Sequence, residues 1–509
     1  MLRIAALSRP LALSSNLRAW IAAIAALIPV SWLLIHGQFR ALAFIFCLLT
    51  LAVAIVVDKA FAICLILGYL FLLGDLRRAI GAIIGFSKFD PLLVVGPLIT
   101  IMLALPLLLR LRLNDGISKA MVALMAVMAL EVVNPKQGPI AVGLGGAMFY
   151  LLPLLWFWIG RKYGSDELLY FVIYRVVIPL SVLAALLGLW QTYVGFLPWE
   201  QDWIADVSSH YHALSLGGGF TRAFGFSVNG IEYANLLLIG STCALAAFFS
   251  GRRVYGFLFP LLAFTLFLAS SRSAIVKLLF AIAISWAVSN RGGRGWAVRL
   301  PIALAVIFGG LALVLSQVSH GGGSTANSAA AFSAQHQVEG LSNPLDSKKS
   351  TAGTHATMFL FGLKQGFTSP LGSGLGSVTM GSKLGGGGAG GGTSDDTPVG
   401  NTEVDISDAF VSMGLVGGLL YLFTILLVLL RAGRFGRTAP KYLGLPALAL
   451  LAAMGGGWTA LGQYGVGPLI WFVIGVIARN SGRSAAPVKA RPSASPQLST
   501  PAFKVTAKV

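Results

Sequence analysis

Charged residues are scarce in this chain, and their scarcity excludes an ordinary soluble domain. Only 11% of the 509 residues are Asp, Glu, Lys or Arg, whereas 56% are hydrophobic. About a quarter of the residues of a soluble globular domain are charged. The composition is therefore that of a protein that crosses a membrane many times.

Cysteine is rarer still, and no disulfide framework is expected. The three cysteines, Cys47, Cys64 and Cys243, all lie in apolar runs, so no pair occupies a loop outside the membrane. The loops also lack a compact group of His, Cys, Asp and Glu at metal-ligand spacing. We expect no bound metal and no other cofactor.

Acidic residues are absent after Asp408, although arginines and lysines continue to the end of the chain. The net charge is +19, and with fourteen spans the basic loops fall on one face. The positive-inside rule makes that face cytoplasmic. Nucleic-acid binding would also explain the basic charge, but topology accounts for it, so we expect no nucleic-acid partner.

Long apolar runs predict an all-α polytopic membrane protein with about 12–14 transmembrane helices, since about 20 residues cross the hydrocarbon core. The first run follows three arginines and lacks a small-x-small cleavage site, which indicates an uncleaved anchor. The third run is short, so twelve or thirteen spans are alternatives to fourteen. The fourteen runs are residues 17–35, 40–57, 60–74, 91–109, 117–133, 140–160, 168–190, 230–249, 254–270, 273–289, 300–318, 406–430, 442–458 and 465–479.

Two loops and a tail divide the helical regions, and the loops fall on the outer face of the membrane. The predicted parts are an N-terminal helix bundle at 1–318 with a smaller outer loop at 193–229, a large outer loop at 319–404, C-terminal transmembrane helices at 405–480, and a disordered basic cytoplasmic tail at 481–509.

The large loop is unusual for a transporter and typical of an enzyme that works at a membrane surface. Apolar residues from Gly353 to Phe367 are interspersed with polar ones, which predicts an amphipathic helix lying on or dipping into the membrane. A turn-rich segment, Pro370 to Gly376, follows this helix.

Two arginines occupy the face on which arginines are otherwise few. Arg222 lies just before the eighth span, and Arg272 lies in a very short turn before the tenth. Guanidinium groups bind phosphate oxygens in a planar, bidentate way, so the pair predicts a lipid-diphosphate site. The alternative is that both side chains only extend to lipid headgroups. Lys277, five residues into the tenth span, is a candidate extension of the same site.

A general base, if the chemistry uses one, has several candidates in the outer segments. Carboxylates at the start of the twelfth span also suit a purely structural role, because a helix N-terminus stabilises acidic side chains. The candidates are Glu403, Asp405, Asp408, His355, His336, His210 and His212.

Four segments carry a resemblance to a known family, and they cover roughly residues 165–430. In their order and placement they resemble the bacterial O-antigen ligase and polysaccharide polymerase superfamily. The resemblance implies that both outer loops are periplasmic loops of a bacterial inner-membrane protein. It also implies a metal-independent enzyme that transfers a glycan, with inversion, from an undecaprenyl-diphosphate donor bound by Arg222 and Arg272. The segments are Arg222-Ala-Phe-Gly with Asn229, Ser271-Arg-Ser-Ala274, Gly366-Phe-Thr-Ser-Pro-Leu-Gly-Ser-Gly-Leu-Gly376 and Gly414-Leu-Val-Gly417.

One departure from the family pattern favours a polymerase. Ligases of this family place a histidine about eleven residues before the Gly-Leu-x-Gly segment, whereas this chain has Glu403 there. We therefore expect Glu403, with Asp405 beside it, to be catalytic. His355 begins the amphipathic helix where many relatives have a basic residue, so it is expected to bind phosphate.

The resulting expectation is a polymerase of exopolysaccharide or O-antigen that joins one lipid-linked repeat unit to another. A ligase that transfers the glycan to lipid A-core is the near alternative, and a flippase of lipid-linked oligosaccharide is the alternative of another class. The expected partners are an undecaprenyl-diphosphate-linked oligosaccharide, membrane lipids and a polysaccharide chain-length regulator.

Overall fold

The computed structural model describes residues 31–87, 90–111, 113–207, 215–217, 219–289, 295–318, 328–343, 352–379, 404–455, 457–458 and 464–480. Helices make up nearly all of this part, as predicted. In chain order they are α1 (Phe39–Val57), α2 (Lys59–Ile84), α3 (Leu92–Leu108), α4 (Gly116–Val132), α5 (Ile140–Phe149), α6 (Leu151–Tyr163), α7 (Asp166–Phe171), α8 (Ile178–Tyr193), α9 (Pro198–Val207), α10 (Gly230–Phe249), α11 (Leu258–Leu268), α12 (Arg272–Ser289), α13 (Trp296–Val318), α14 (Ala329–Ser342), α15 (Ala352–Thr368), α16 (Asp405–Thr438), α17 (Lys441–Ala453) and α18 (Val466–Asn480).

Short irregular elements connect these helices. A π-helical turn, Val172–Val177, joins α7 to α8 without a break in the chain direction. Single 3₁₀ turns occupy Pro135–Gln137 and Arg253–Gly256. Two short strands, β1 (Ser215–Gly217) and β2 (Phe220–Thr221), pair antiparallel within the described residues.

The expected multi-pass helical class is confirmed by the lengths of the apolar helices. Seven helices in the described residues are long and apolar enough to cross a membrane, and five more are apolar but shorter. The seven include Ile140–Tyr163, in which α5 and α6 are continuous, and Asp166–Tyr193, which contains the π-helical turn. The first predicted span, 17–35, lies mostly outside the described residues.

The third predicted span is longer than the sequence suggested. Instead of a short helix over 60–74, α2 runs for 26 residues from Lys59 to Ile84. The apolar run stops at Asp75, but the helix continues because Arg78 is buried and both its terminal nitrogens donate to carbonyl oxygens. A prediction from hydropathy alone places the end of a span at its first charged residues, even where those residues have partners inside the protein.

The centre of the bundle contains a direct backbone contact between α6 and α18. A side chain at Gly160 would begin 2.1 Å from the carbonyl oxygen of Phe472, and one at Gly475 would begin 2.1 Å from that of Phe157. Small residues allow this approach in membrane helices. The buried rings of Trp156 and Phe472 pack edge to face beside it, with centroids 6.4 Å apart.

The region predicted as one large loop contains two helices in its described part. α15 lies where the amphipathic helix was expected, and large apolar side chains on and just after it are exposed, including Leu360, Phe361, Phe367 and Leu371. α14 was not predicted, because its sequence has no run of large apolar residues. It packs across the ends of α11 and α12.

Candidate functional site

The segment that carries Arg222 is held in place by two buried polar side chains. The backbone N–H groups of Phe224 and Gly225 donate to Oε1 of Gln191 on α8, over 3.0 and 2.8 Å. Arg78 on α2 donates to the carbonyl oxygen of Gly225 over 3.0 Å, and its guanidinium lies 4.5 Å from the centre of the Phe224 ring. These contacts fix the backbone on which Arg222 stands.

Arg272 begins α12 directly after a strained turn. Ser270 in this turn has a φ of +56°, the only positive φ of a non-glycine residue among those described. Residues other than glycine adopt such a φ at an energetic cost, and they do so most often at functional sites. The turn places the Arg272 side chain beneath α14.

His336 of α14 contacts Arg272 directly. Nη2 of Arg272 donates to the carbonyl oxygen of His336 over 3.0 Å and lies 3.0 Å from its ring Nε2. One turn further, a side chain at Gly340 would begin 2.0 Å from Cζ of Arg272. The guanidinium of Arg272 therefore occupies the space that a side chain at position 340 would take.

Arg222, Arg272 and His336 form one cluster, called the cationic site below. Burial, and then the charge of Arg272, lower the pKa of Arg222. Burial lowers the pKa of His336 as well, and Arg272 and Arg222 lower it further, while Glu339 opposes them. His336 is therefore neutral at pH 7.

The cationic site has hydrogen-bond donors to spare. Nε of Arg222 and Nε of Arg272 are buried, and neither has a hydrogen-bond partner within the described residues. Two guanidinium groups lie together here, with buried N–H groups and one carboxylate nearby. An anion with several oxygens would stabilise such a site.

Lys277 and Asp405 face each other at a separate place. A side chain at Gly457 would begin 3.6 Å from Nζ of Lys277 and 4.0 Å from Oδ2 of Asp405, and the charge of Asp405 acts on Lys277. Lys277 lies about 7.5 Å along the helix axis from Arg272 and about 140° around it. This placement favours an internal charge pair over an extension of the phosphate site.

Of the remaining predicted site residues, His355 and Asp408 lie in the part of the chain that the structure describes. His355 is half-buried in the first turn of α15, a helix that packs along α16, whereas His336 lies on α14. Asp408 is fully buried in the first turn of α16. Glu403, His210 and His212 lie outside the described residues.

The two glycine-rich segments, 366–376 and 414–417, pack against each other. Gly414 interrupts α16 with a φ of +66°, and a side chain there would begin 2.1 Å from the carbonyl oxygen of Pro370. The N–H groups of Ser373 and Gly374 donate to the carbonyl oxygens of Val411 and Ser412, over 2.9 and 3.1 Å. These segments therefore dock the loop onto α16, a structural role.

Sequence reasoning missed three polar residues that support this arrangement, namely Arg78, Gln191 and Gln137. Gln137 accepts from the N–H of Gly376 over 2.8 Å and donates to the carbonyl oxygen of Val132 over 2.7 Å. Burying a polar side chain in or beside an apolar helix costs free energy unless the side chain has partners. The positions of Arg78 and Gln191 in the sequence could therefore have shown that both have partners inside the protein.

The fold and the site together define a multi-pass helical membrane protein with a half-buried cationic site beneath α14. No family model, curated protein or solved structure matches the chain.

Proposed function

We propose that the protein is a membrane glycosyltransferase that polymerises bacterial surface polysaccharide from an undecaprenyl-diphosphate-linked donor. The contact of Arg272 with His336, beside Arg222, is the observation that carries this proposal. The proposed orientation places this site on the periplasmic face of the inner membrane, since the basic loops then lie in the cytoplasm.

The cationic site would bind the diphosphate of the donor. Arg222 and Arg272 supply planar donor pairs that match phosphate oxygens. Negative charge grows on the diphosphate as the bond to the sugar breaks, and the fixed positive charge of this half-buried site would stabilise that change. The two arginines would do this without a metal ion.

The proposed step exchanges one bond at the anomeric carbon. A hydroxyl of the acceptor repeat forms the new carbon–oxygen bond, the bond to the diphosphate breaks, and the hydroxyl proton passes to a base. Inversion requires the hydroxyl to approach from the face opposite the diphosphate. His336 touches an arginine of the diphosphate site, so it suits the leaving-group side, and Glu403 remains the proposed base.

Alanine substitution of either arginine tests the diphosphate site. We expect Arg222→Ala and Arg272→Ala each to abolish polymer while the protein stays in the membrane at normal abundance. Lysine should restore little, because it lacks the bidentate fork. Polymer is measured on gels of lipid-linked glycan, and Arg434→Ala, at an exposed arginine of α16, is the matched control. Normal polymer from both alanine variants would contradict the proposal.

The acceptor distinguishes a polymerase from a ligase. Purified protein with a lipid-linked repeat unit alone should lengthen the glycan. A ligase would instead need lipid A-core and would attach the glycan to it without lengthening. A flippase would move the lipid-linked donor across a vesicle membrane and form no glycosidic bond.

A further inference from the structure

Glu200, in the first turn of α9, is a fully buried acidic residue that the proposed reaction step does not use. Its Oε1 accepts from Nε2 of Gln191 over 2.7 Å, and its Oε2 accepts from the backbone N–H of Leu197 over 2.9 Å. A buried carboxylate is costly unless its oxygens are hydrogen-bonded. The two bonds supply a partner for each oxygen and connect the start of α9 to α8.

Gln191 links this carboxylate to the backbone that follows Arg222. While its Nε2 donates to Glu200, its Oε1 accepts from the N–H groups of Phe224 and Gly225. Nε2 also lies 3.3 Å from the carbonyl oxygen of Gly225. Gln191 and residues 223–227 are buried, so water does not compete for these bonds.

The carboxylate of Glu200 determines which way the Gln191 amide points. An ionised carboxylate only accepts hydrogen bonds, whereas an amide has one accepting and one donating end. Nε2 of Gln191 must therefore face Glu200, which leaves Oε1 for the two backbone N–H groups. In the opposite orientation two oxygens would meet, and the buried N–H groups of Phe224 and Gly225 would lose their acceptor.

Three neighbours favour the ionised form of Glu200. Burial raises the pKa of its carboxyl, whereas the N–H of Leu197, the charge of Arg78 and the amide of Gln191 lower it. Arg78 also donates to the carbonyl oxygen of Gly225 over 3.0 Å. The positive charge that favours the carboxylate therefore holds the same stretch of backbone from its other side.

We propose that Glu200 is a positioning residue for the diphosphate site and acts through Gln191 on the backbone that carries Arg222. The inference rests on the proposed function, because the guanidinium of Arg222 must lie where the diphosphate leaves. A displacement of about 1 Å at a reacting site can cost about a hundredfold in rate, even when its cause is remote from the chemistry. Glu200 itself need not touch the substrate.

Swapping the two side chains tests this role. In Glu200→Gln the amide of Gln191 is no longer held in one direction, and in Gln191→Glu two carboxylates meet. The double variant again pairs one carboxylate with one amide. Its carboxylate accepts from the N–H groups of Phe224 and Gly225, and its amide donates to that carboxylate and accepts from the N–H of Leu197.

Two measurements on purified full-length protein in nanodiscs follow the swap. They are kcat for glycan lengthening and hydrogen–deuterium exchange of the peptide that spans residues 220–228. We expect each single variant to lower kcat at least tenfold and to speed exchange, and the double variant to recover kcat to within about threefold and to slow exchange again. Asp202→Asn, the same carboxyl-to-amide change at an exposed position of α9, is the control and should match the unmodified protein.

Three results would overturn the inference: normal kcat in both single variants, unchanged exchange in both, or a double variant no better than the single ones. Lower abundance and a lower unfolding temperature with normal kcat would show that Glu200 only stabilises the loop. The exchange measurement separates these failures from failure of the proposed function. If no preparation transfers glycan but exchange rises in the single variants and recovers in the double one, Glu200 still supports the Arg222 backbone and the transferase proposal falls.

Discussion

The charge state of His336 governs how the cationic site responds to pH. Burial and the neighbouring arginines lower its pKa, whereas an unfolded histidine takes up its proton near pH 6.5. Below about pH 6.5 the unfolded state therefore binds more protons than the folded state, and acidification destabilises the folded protein through this residue. At pH 7 and above the effect vanishes, because both states are neutral.

We expect acidification from pH 7 to pH 5 to lower the thermal unfolding temperature less in His336→Gln than in the unmodified protein. Scanning fluorimetry in detergent measures the difference. His36→Gln, at an exposed histidine, serves as the control and should follow the unmodified protein. An equal acid response in all three proteins would mean that burial and the arginines do not lower the pKa of His336.

Glu403 is the proposed base, and its substitution has a defined cost. Loss of general-base help typically slows a reaction about 10²–10⁴-fold, so Glu403→Gln should keep normal abundance and nearly stop chain growth. Asp405→Asn should act differently, because Asp405 faces Lys277 and its loss leaves a buried charge without its neighbour. We expect lower protein abundance rather than a specific loss of rate, and initial rates per unit of purified protein separate the two. If Asp405→Asn is slow at normal abundance while Glu403→Gln has a normal rate, the base is Asp405, two residues after the proposed position.

At the scale of single residues, the sequence predicted the two arginines, and it gave His336 only as one of several candidate bases, not as a neighbour of Arg272. Arg222 and Arg272 could be identified because each stands alone beside an apolar span. His336 lies 64 residues after Arg272, and its contact depends on the close approach of Gly340 to the guanidinium. No local pattern in a single sequence encodes which side chain that approach brings to Arg272.

Among the elements, α14 covers the cationic site, and Gly340 leaves room there for the Arg272 guanidinium. We expect Gly340→Ala to displace this guanidinium from its contact with His336, since the added carbon would begin 2.0 Å from Cζ. Polymer formation should fall at least tenfold while the helix bundle stays intact. Gly353→Ala at the start of α15, where a side chain meets nothing within 4 Å, should have little effect. Equal activity of both variants would show that polymer formation does not depend on this position of the Arg272 guanidinium.

The elements differ in how far the sequence revealed them. Spans such as α4 and α18 match their apolar runs within a residue or two, because burial in lipid requires continuous apolar sequence. α14 was not predicted, because a helix that covers a site outside the lipid needs no continuous apolar sequence. The break in α16 at Gly414 was also missed, since glycine within an apolar helix is common in membranes and need not interrupt it.

For the molecule as a whole, the proposed chemistry needs no metal. The described residues hold no group of three or more His, Cys, Asp or Glu that could bind one. We expect the purified enzyme with its lipid-linked donor to keep its rate in excess chelator, because arginine charge stabilises the leaving diphosphate. Mass-spectrometric detection of the lengthened glycan is the readout. Activity lost to the chelator and restored by magnesium or manganese would contradict this expectation.

The contact between α6 and α18 has a consequence for biosynthesis. α18 is the last described helix to leave the ribosome, and the backbone against which it packs was inserted far earlier. Chains are made from the N-terminus, so α6 is in place before α18 is synthesised. Until then α18 does not cover the glycine face of α6. A premature stop after α17 would therefore remove a central helix, and quality-control proteases should recognise such a product as unfinished.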